Sequence, residues 1–285
     1  MTKGILIYAH NSRSVDYALM SVISGGLAKK HLNVSVSLVT DKFTADWMKS
    51  SQIYDTATKI FENIIIVEKP QTNNSRKLYD GTDSAVVPFI NSNRSSAWDL
   101  TPYDRTLLID SDFLIFSNRL SEYWDVDSDL MIGDAINDIY KKDRVGYHDR
   151  YISDVGIKLY WATTVMFSKN EKTQIFFELV KHIKDYYQYY ADTYRFDSKQ
   201  FRNDIAFSIA KHIMDGFEQN NAINLPSVLT LLDRDILYKV DNKLSVLVSP
   251  NVDSNFCAAA LSNIDVHIMN KQSIIRNKDA LLDLI

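Results

Sequence analysis

Residues 4–41 read GILIYAHNSRSVDYALMSVISGGLAKKHLNVSVSLVTD, and they decide the fold class. Gly4 to Ala9 is an unbroken apolar run of strand length, the pattern of a strand covered on both faces. Ser14 to Lys30 follows with Val15, Leu19, Val22, Ile23 and Leu27 at helical spacing. Val34 to Val39 is a second strand, ending at Thr40-Asp41. Working outward, Thr44 to Ser50 reads as a short helix, Asn63 to Val67 as a third strand and Thr106 to Ile109 as a fourth. Strands alternating with helices at this spacing predict βαβ units in an α/β fold with a mostly parallel sheet flanked by helices. Such sheets bind ligands beyond the carboxyl ends of their strands. Three strands here end in polar residues suited to that: Tyr8-Ala9-His10-Asn11, Thr40-Asp41 and Asp110-Ser111-Asp112.

The second half is less regular. Leu130–Gly133, Trp161–Ser168, Ser245–Val248 and Val266–Ile268 read as strands, and Glu171–Tyr190 and Ser198–Met214 as long helices. With no repeat and no Pro/Gly/Ser linker, residues 1–285 are expected to form one domain, with a nucleotide-binding half (1–115) and a mixed second half (116–285). The single Cys257 excludes an internally disulfide-stapled scaffold. No run of 18 apolar residues is present, and the N-terminus moves straight into a strand, so a soluble cytoplasmic protein without membrane contact is expected. The formal charge of −4 gives no global case for nucleic-acid binding and leaves only a local basic surface.

The chemistry concentrates at Thr106-Leu107-Leu108-Ile109-Asp110-Ser111-Asp112-Phe113-Leu114-Ile115. Two carboxylates, one residue apart, are held between apolar runs, where uncompensated charge is costly. Hard divalent cations such as Mg²⁺ or Mn²⁺ take oxygen ligands and are commonly shared with phosphates. The bland alternative is a solvated turn after a strand.

An apolar strand followed by D-x-D and a second apolar run resembles the donor-site strand of GT-A glycosyltransferases of the glycogenin-like and lipopolysaccharide galactosyltransferase type. The resemblance extends to five blocks in order over residues 4–271. It implies that Ala9, His10 and Asp41, at the ends of the first two strands, contact the nucleotide. It implies that Arg94, in Asn91–Asp99, approaches the diphosphate. Tyr160–Phe167 resembles the strand lining the sugar pocket, with Thr163-Thr164 where the family has a small residue. Asp204, in Phe201–Ala210, resembles the acid that reaches donor-sugar hydroxyls, although an aspartate in a first helical turn also serves the helix dipole. His267 resembles the third metal ligand beside Asp110 and Asp112, and Lys271 the cation that neutralises the leaving diphosphate. The family's glycine and tryptophan near that lysine are absent, and its spacing is four rather than six.

The implied activity is metal-dependent transfer of a sugar from a nucleoside diphosphate sugar, most often uridine-based, to a hydroxyl. Asp110, Asp112 and Asp204 are the implied catalytic residues. The pattern is also similar to glycosyltransferases of tailed bacteriophages, which resemble enzymes that add a sugar such as arabinose to 5-hydroxymethylcytosine in phage DNA, in the host cytoplasm. That acceptor needs a basic surface, for which Lys141, Lys142, Arg144, Arg276 and Lys278 are the candidates, with His148 and Arg150 nearby. Tyr186, Tyr187, Tyr189, Tyr190 and Tyr194 are read as core and helix surface rather than as base-stacking residues. Glycan, protein and small-molecule acceptors stay open, as does a non-catalytic sugar-nucleotide binder. A sugar-activating nucleotidyltransferase is disfavoured, because Ala9-His10-Asn11-Ser12 lacks the glycines of a phosphate loop.

Overall fold

The computed structural model describes residues 1–69, 74–80, 83–90, 92–140, 144–154, 156–197, 199–218, 223–249 and 255–285. The first elements are β1 (Lys3–Tyr8), α1 (Tyr17–Leu32), β2 (Ser35–Asp41), α2 (Lys42–Ser50), α3 (Tyr54–Ile60) and β3 (Phe61–Val67). The hairpin β4 (Ser75–Asp80) and β5 (Asp83–Pro88) comes next, then α4 (Ala97–Leu100). Five strands continue the chain: β6 (Arg105–Ile109), β7 (Phe113–Leu114), β8 (Leu130–Gly133), β9 (Ile136–Asp138) and β10 (Trp161–Ser168). Helices α5 (Glu171–Asp185), α6 (Tyr187–Tyr194) and α7 (Asn203–Met214) precede β11 (Val228–Leu231), β12 (Ile236–Val240), β13 (Leu244–Val248), β14 (Cys257–Leu261) and β15 (Val266–Ile268). The chain closes with α8 (Lys271–Arg276) and α9 (Lys278–Leu282).

The fold is mixed α/β around a six-stranded sheet of order β3-β2-β1-β6-β10-β8. The first four strands are parallel, as the βαβ reading expects, and β10 is the reversed member between β6 and β8. Ile5, Leu6, Ile7, Leu107, Leu108 and Ile109 have no exposed surface, which is why these runs are continuous rather than alternating. Helix α1 begins where Asp16 accepts from the Leu19 amide at 3.0 Å and ends at Asn33 in the left-handed conformation. One buried apolar cluster extends from Ile5 to Leu281 through both halves of the chain.

A second sheet, β7-β15-β11-β9, stands beside the first. The two are joined by the turn between β6 and β7, the Asp110-Ser111-Asp112 segment itself. The ladder of β10 and β8 carries an irregularity between Trp161 and Val165, where Trp161 opposes Gly133 and Val165 opposes Ile132. Bulges of this kind re-aim side chains beside functional sites. Gly133 makes this one possible, since a Cβ there would lie 2.5 Å from the Trp161 carbonyl oxygen. Gly133→Ala is therefore expected to destabilise the fold by about 1–3 kcal/mol, the usual cost of forcing atoms into a packed interior. Urea unfolding would check it, and an unchanged midpoint would show that the bulge tolerates the methyl group.

The early helices shift by two or three residues at their ends, α1 to Tyr17–Leu32 and α2 to Lys42–Ser50, and the two long helices of the second half differ more. The span Glu171–Tyr190 is broken at Tyr186, which closes α5 and opens α6. Phe176, Val180, Ile183, Tyr187 and Tyr190 keep one buried stripe across the break, so periodicity carries no sign of it. The second helix starts at Asn203, not at Ser198, which lies outside the described residues. Phe201 instead packs on Tyr187 with ring centroids 4.9 Å apart, which holds the chain before α7 off the helical path.

Candidate functional site

The D-x-D turn is fixed from both sides. The Asp110 amide donates to the Thr163 carbonyl at 3.0 Å, and the Phe113 amide to the Asp110 carbonyl at 3.1 Å. On the far side, β7 pairs with β15 so that Phe113 opposes His267, and the Ile268 amide donates to the Asp112 carbonyl at 2.9 Å. This pairing brings a residue 155 positions away in sequence against the turn (267 − 112). Ligand atoms of Asp110, Asp112 and His267 all lie within 4.8 Å of one another.

Each carboxylate of the pair has its own cation. Lys271, buried at the start of α8, forms an ion pair with Asp112 and donates to the Met269 carbonyl at 3.2 Å. Arg94, buried in the turn before α4, forms an ion pair with Asp110 and donates to the Ala162 carbonyl at 2.6 Å. Burial would raise the Asp112 carboxyl, but Lys271 and His267 outweigh it and hold it well below the usual carboxylate range. Burial lowers the Arg94 guanidinium to about 10, against the opposing pull of Asp112, Tyr8 and Asp204. Burial likewise pushes the Lys271 ammonium down, aided by Arg76 and opposed by Asp112.

These residues line one cleft of about 450 Å³, together with Tyr8, Tyr17, Trp161, Thr163, Asp204 and Asp233. Asp204 sits in the first turn of α7, where it accepts from Arg202 Nε and the Ile205 amide, each at 3.0 Å. The hairpin of β4 and β5 forms one wall with Arg76, Lys77 and Tyr79. Asp80 anchors it to α8 through a two-pronged ion pair with Arg276, one contact being 2.7 Å.

Among the residues expected at the site, Asp110, Asp112, His267, Arg94, Lys271 and Asp204 share this cleft. Ala9, His10 and Asp41 do not line it. They are buried one layer below, where His10 Nδ1 meets Asp41 Oδ2 at 3.0 Å and Asp41 caps α2 through the Thr44 amide at 2.9 Å. The Ala9 carbonyl accepts from Thr40 Oγ1 at 2.6 Å. Tyr8 and Tyr17 hold the cleft side of that strand end.

Asp233 was not anticipated. It follows β11 in Thr230-Leu231-Leu232-Asp233-Arg234-Asp235, an apolar strand ending in a second D-x-D, and that pattern is a signal legible in the sequence. Arg76, Lys77 and Tyr79 had no comparable signal, because their hairpin carries no apolar alternation.

The donor set fits a hard or borderline divalent cation: two carboxylates and one imidazole. The His267 Nδ1 atom is buried without a hydrogen-bond partner among the described residues, while its Nε2 lies 3.4 Å from Asp112 Oδ1, on the side of the carboxylate pair.

No protein-family model matches the chain, and no curated protein matches it. Solved structures do. The galactosyltransferase LgtC, in complex with donor and acceptor sugar analogues, is 14% identical, with a TM-score of 0.45 over 72% of this chain and 70% of that one. Mouse xyloside xylosyltransferase 1 in its apo form is 14% identical, with a TM-score of 0.43 over 75% and 83%. The 4-diphosphocytidyl-2C-methyl-D-erythritol synthase of Anaerococcus prevotii is 14% identical, with a TM-score of 0.41 over 79% and 89%. Two of these three are glycosyltransferases by name. The overlaps are partial, and the chemistry rests on this chain's own residues.

Proposed function

We propose that the chain is a metal-dependent glycosyltransferase of GT-A type that moves a sugar from a nucleoside diphosphate sugar to a hydroxyl. The observation that carries the reading is the convergence of Asp110, Asp112 and His267 from two sheets onto the floor of one cleft, within 4.8 Å of one another. Structural ion pairs rarely need a histidine and two carboxylates facing an open cleft; a divalent cation shared with a diphosphate does.

Asp110, Asp112 and His267 would hold Mn²⁺ or Mg²⁺, which when bound offsets charge building on the leaving diphosphate. Arg94 and Lys271 supply fixed positive charge at the same place without reorganising, since both are buried and already oriented. Each is also the counter-ion of one carboxylate, Arg94 of Asp110 and Lys271 of Asp112. Asp204, held by Arg202 and the Ile205 amide, would orient sugar hydroxyls or take the proton of the accepting hydroxyl.

Isothermal titration with Mn²⁺ and a panel of nucleoside diphosphate sugars tests the reading. Donor binding that needs Mn²⁺, followed by release or transfer of labelled sugar, is the expected result. Binding without turnover would leave a sugar-nucleotide binding protein. His267→Ala is expected to weaken Mn²⁺ affinity by more than the ~10–100-fold that loss of an outer partner costs, and to spare the fold. A lower melting temperature with unchanged Mn²⁺ affinity would make His267 a packing residue.

The hydroxyl of 5-hydroxymethylcytosine in DNA is one acceptor to assay, beside glycans, proteins and small alcohols. Of the cations that would hold DNA, Lys141 and Lys142 lie outside the described residues, and Arg276 is committed to Asp80. Arg144 is not a free surface cation, being mostly covered and paired with both Asp138 and Asp235. Lys278 is exposed. Equal failure on hydroxymethylated and unmodified DNA, with an active donor site, would leave the other acceptors.

A further inference from the structure

The second D-x-D divides its work. Asp235 is fully buried; its carboxylate accepts from Arg144 Nη1 at 2.7 Å, from the Leu232 amide at 2.8 Å and from the Ser249 amide at 3.0 Å. The Leu232 carbonyl in turn accepts from the Asp235 amide at 2.9 Å, so the turn is tied at both ends. Asp233, two residues earlier, faces the cleft instead. Its Oδ1 is shut off from solvent and has no hydrogen-bond partner among the described residues. An unpartnered carboxylate oxygen costs stability, and with the turn tied at Leu232 and Asp235 only rotation of the Asp233 side chain toward the cleft is left to relieve it. Functional sites are where proteins keep such unrelieved groups.

Its surroundings limit what it can bind. Register places it past the carboxyl end of β11, beside the end of β15 that leads to Lys271. Lys271 is already engaged by Asp112 and the Met269 carbonyl. Arg76, on the opposite hairpin, stacks on Phe89 with its Cζ 5.5 Å from the ring centroid. Burial pushes the Asp233 carboxyl up, opposed by Lys271, Arg76 and His267 and reinforced by Asp112. A substrate O–H suits this group, which accepts through both oxygens when ionised and keeps an accepting oxygen when protonated.

We propose that Asp233 is a ligand-binding residue of this cleft, its carboxylate accepting a hydrogen bond from a hydroxyl of the bound substrate. This rests on the glycosyl-transfer reading, under which the hydroxyl belongs to the nucleotide sugar or to the acceptor. Asp233 thereby sets which substrate fits.

The test uses the whole chain with Mn²⁺, comparing wild type with Asp233→Asn and Asp233→Ala. Without ligand, both variants should melt higher than wild type, because the unrelieved carboxylate is gone; a structural role predicts the reverse. With ligand, calorimetry against UDP and UDP-glucose should show at least about tenfold weaker binding, as expected for a lost hydrogen bond to a charged group. Loss on UDP assigns the hydroxyl to the ribose. Loss on UDP-glucose alone assigns it to the transferred sugar. Unchanged donor binding with a raised KM for the accepting alcohol assigns it to the acceptor. Variants that melt lower, or that match wild type in all three measurements, overturn the proposal. A wild-type chain that binds neither nucleotide would sink the glycosyl-transfer reading and this hydroxyl with it. Wild-type binding with unchanged variants would sink only the role of Asp233.

Discussion

Asp112→Asn is expected to abolish Mn²⁺-dependent donor binding and to lower stability as well. The substitution keeps the side-chain volume and removes one of the two charges of a hard-cation site. It also strips Lys271 of its counter-ion, and that ammonium has almost no exposed surface in which to be solvated. Breaking a buried pair from one side costs about 3–5 kcal/mol. Asp110→Asn should lose donor binding equally with a smaller stability loss, because Asp110 is partly exposed and Arg94 keeps the Ala162 carbonyl. Equilibrium unfolding together with Mn²⁺ titration separates the two effects. Wild-type Mn²⁺ and donor affinity in both variants would remove the metal reading.

The same pair sets a pH dependence. The Asp112 carboxyl lies well below its unfolded value because Lys271 and His267 overcome the effect of burial. A depressed carboxylate contributes stability that is fully present above the unfolded value of about 4 and is lost as pH falls through the folded value. Asp138 is lowered in the same sense, Arg144 and nearby amides outweighing its burial. Acid unfolding should therefore set in below about pH 4, and Asp112→Asn should flatten part of it.

How far the sequence could be read follows from how local each signal is. The runs Ile5–Ile7 of β1 and Leu107–Ile109 of β6 announce themselves, because they are covered on both faces and wholly apolar, and β2 is legible from Val36, Leu38 and Val39 despite the buried Ser37. The D-x-D was legible for the same reason: charge at the end of a buried strand needs an explanation. His267 was legible only through its order after the D-x-D, since the β7–β15 ladder that seats it is a long-range pairing of two very short strands. Short strands such as β7 and β9 carry too few residues for any period to appear. Asp233 carries the same kind of signal as Asp110, a carboxylate of a D-x-D at the end of an apolar strand. Ala9, His10 and Asp41 are the reverse case: at these strand ends the hydrogen bonds turn inward, the Ala9 carbonyl to Thr40, His10 to Asp41 and Asp41 to the start of α2, rather than outward to the cleft.

Arg144 shows what a charge run conceals. In the sequence it belongs to Lys141-Lys142-Asp143-Arg144 and invites a nucleic-acid reading. In the fold its guanidinium spans two buried carboxylates, reaching Asp138 at 2.5 and 2.8 Å and Asp235 at 2.7 and 2.8 Å, with the Ser249 carbonyl at 2.7 Å. Burial acts to lower its basicity, and the hydrogen bonds to Asp138 and Asp235 more than reverse that. It joins β9, the turn that carries Asp233 and the end of β13. Arg144→Met is thus expected to cost about 3–5 kcal/mol or more, since it leaves two carboxylates in the interior without a counter-ion. Arg144→Lys should recover little, because one ammonium cannot reproduce a planar fork between two carboxylates. Adding Asp138→Asn and Asp235→Asn to Arg144→Met should restore much of the loss, which a simple packing defect would not allow. The contrast with the surface reading is sharp in one assay. Reversing charge at Lys278 should leave donor hydrolysis intact whatever it does to an acceptor, whereas Arg144→Glu should unfold the second sheet and abolish hydrolysis too. Arg144→Glu with wild-type melting and hydrolysis would return this arginine to the surface and dissolve the lock that holds Asp233 in place.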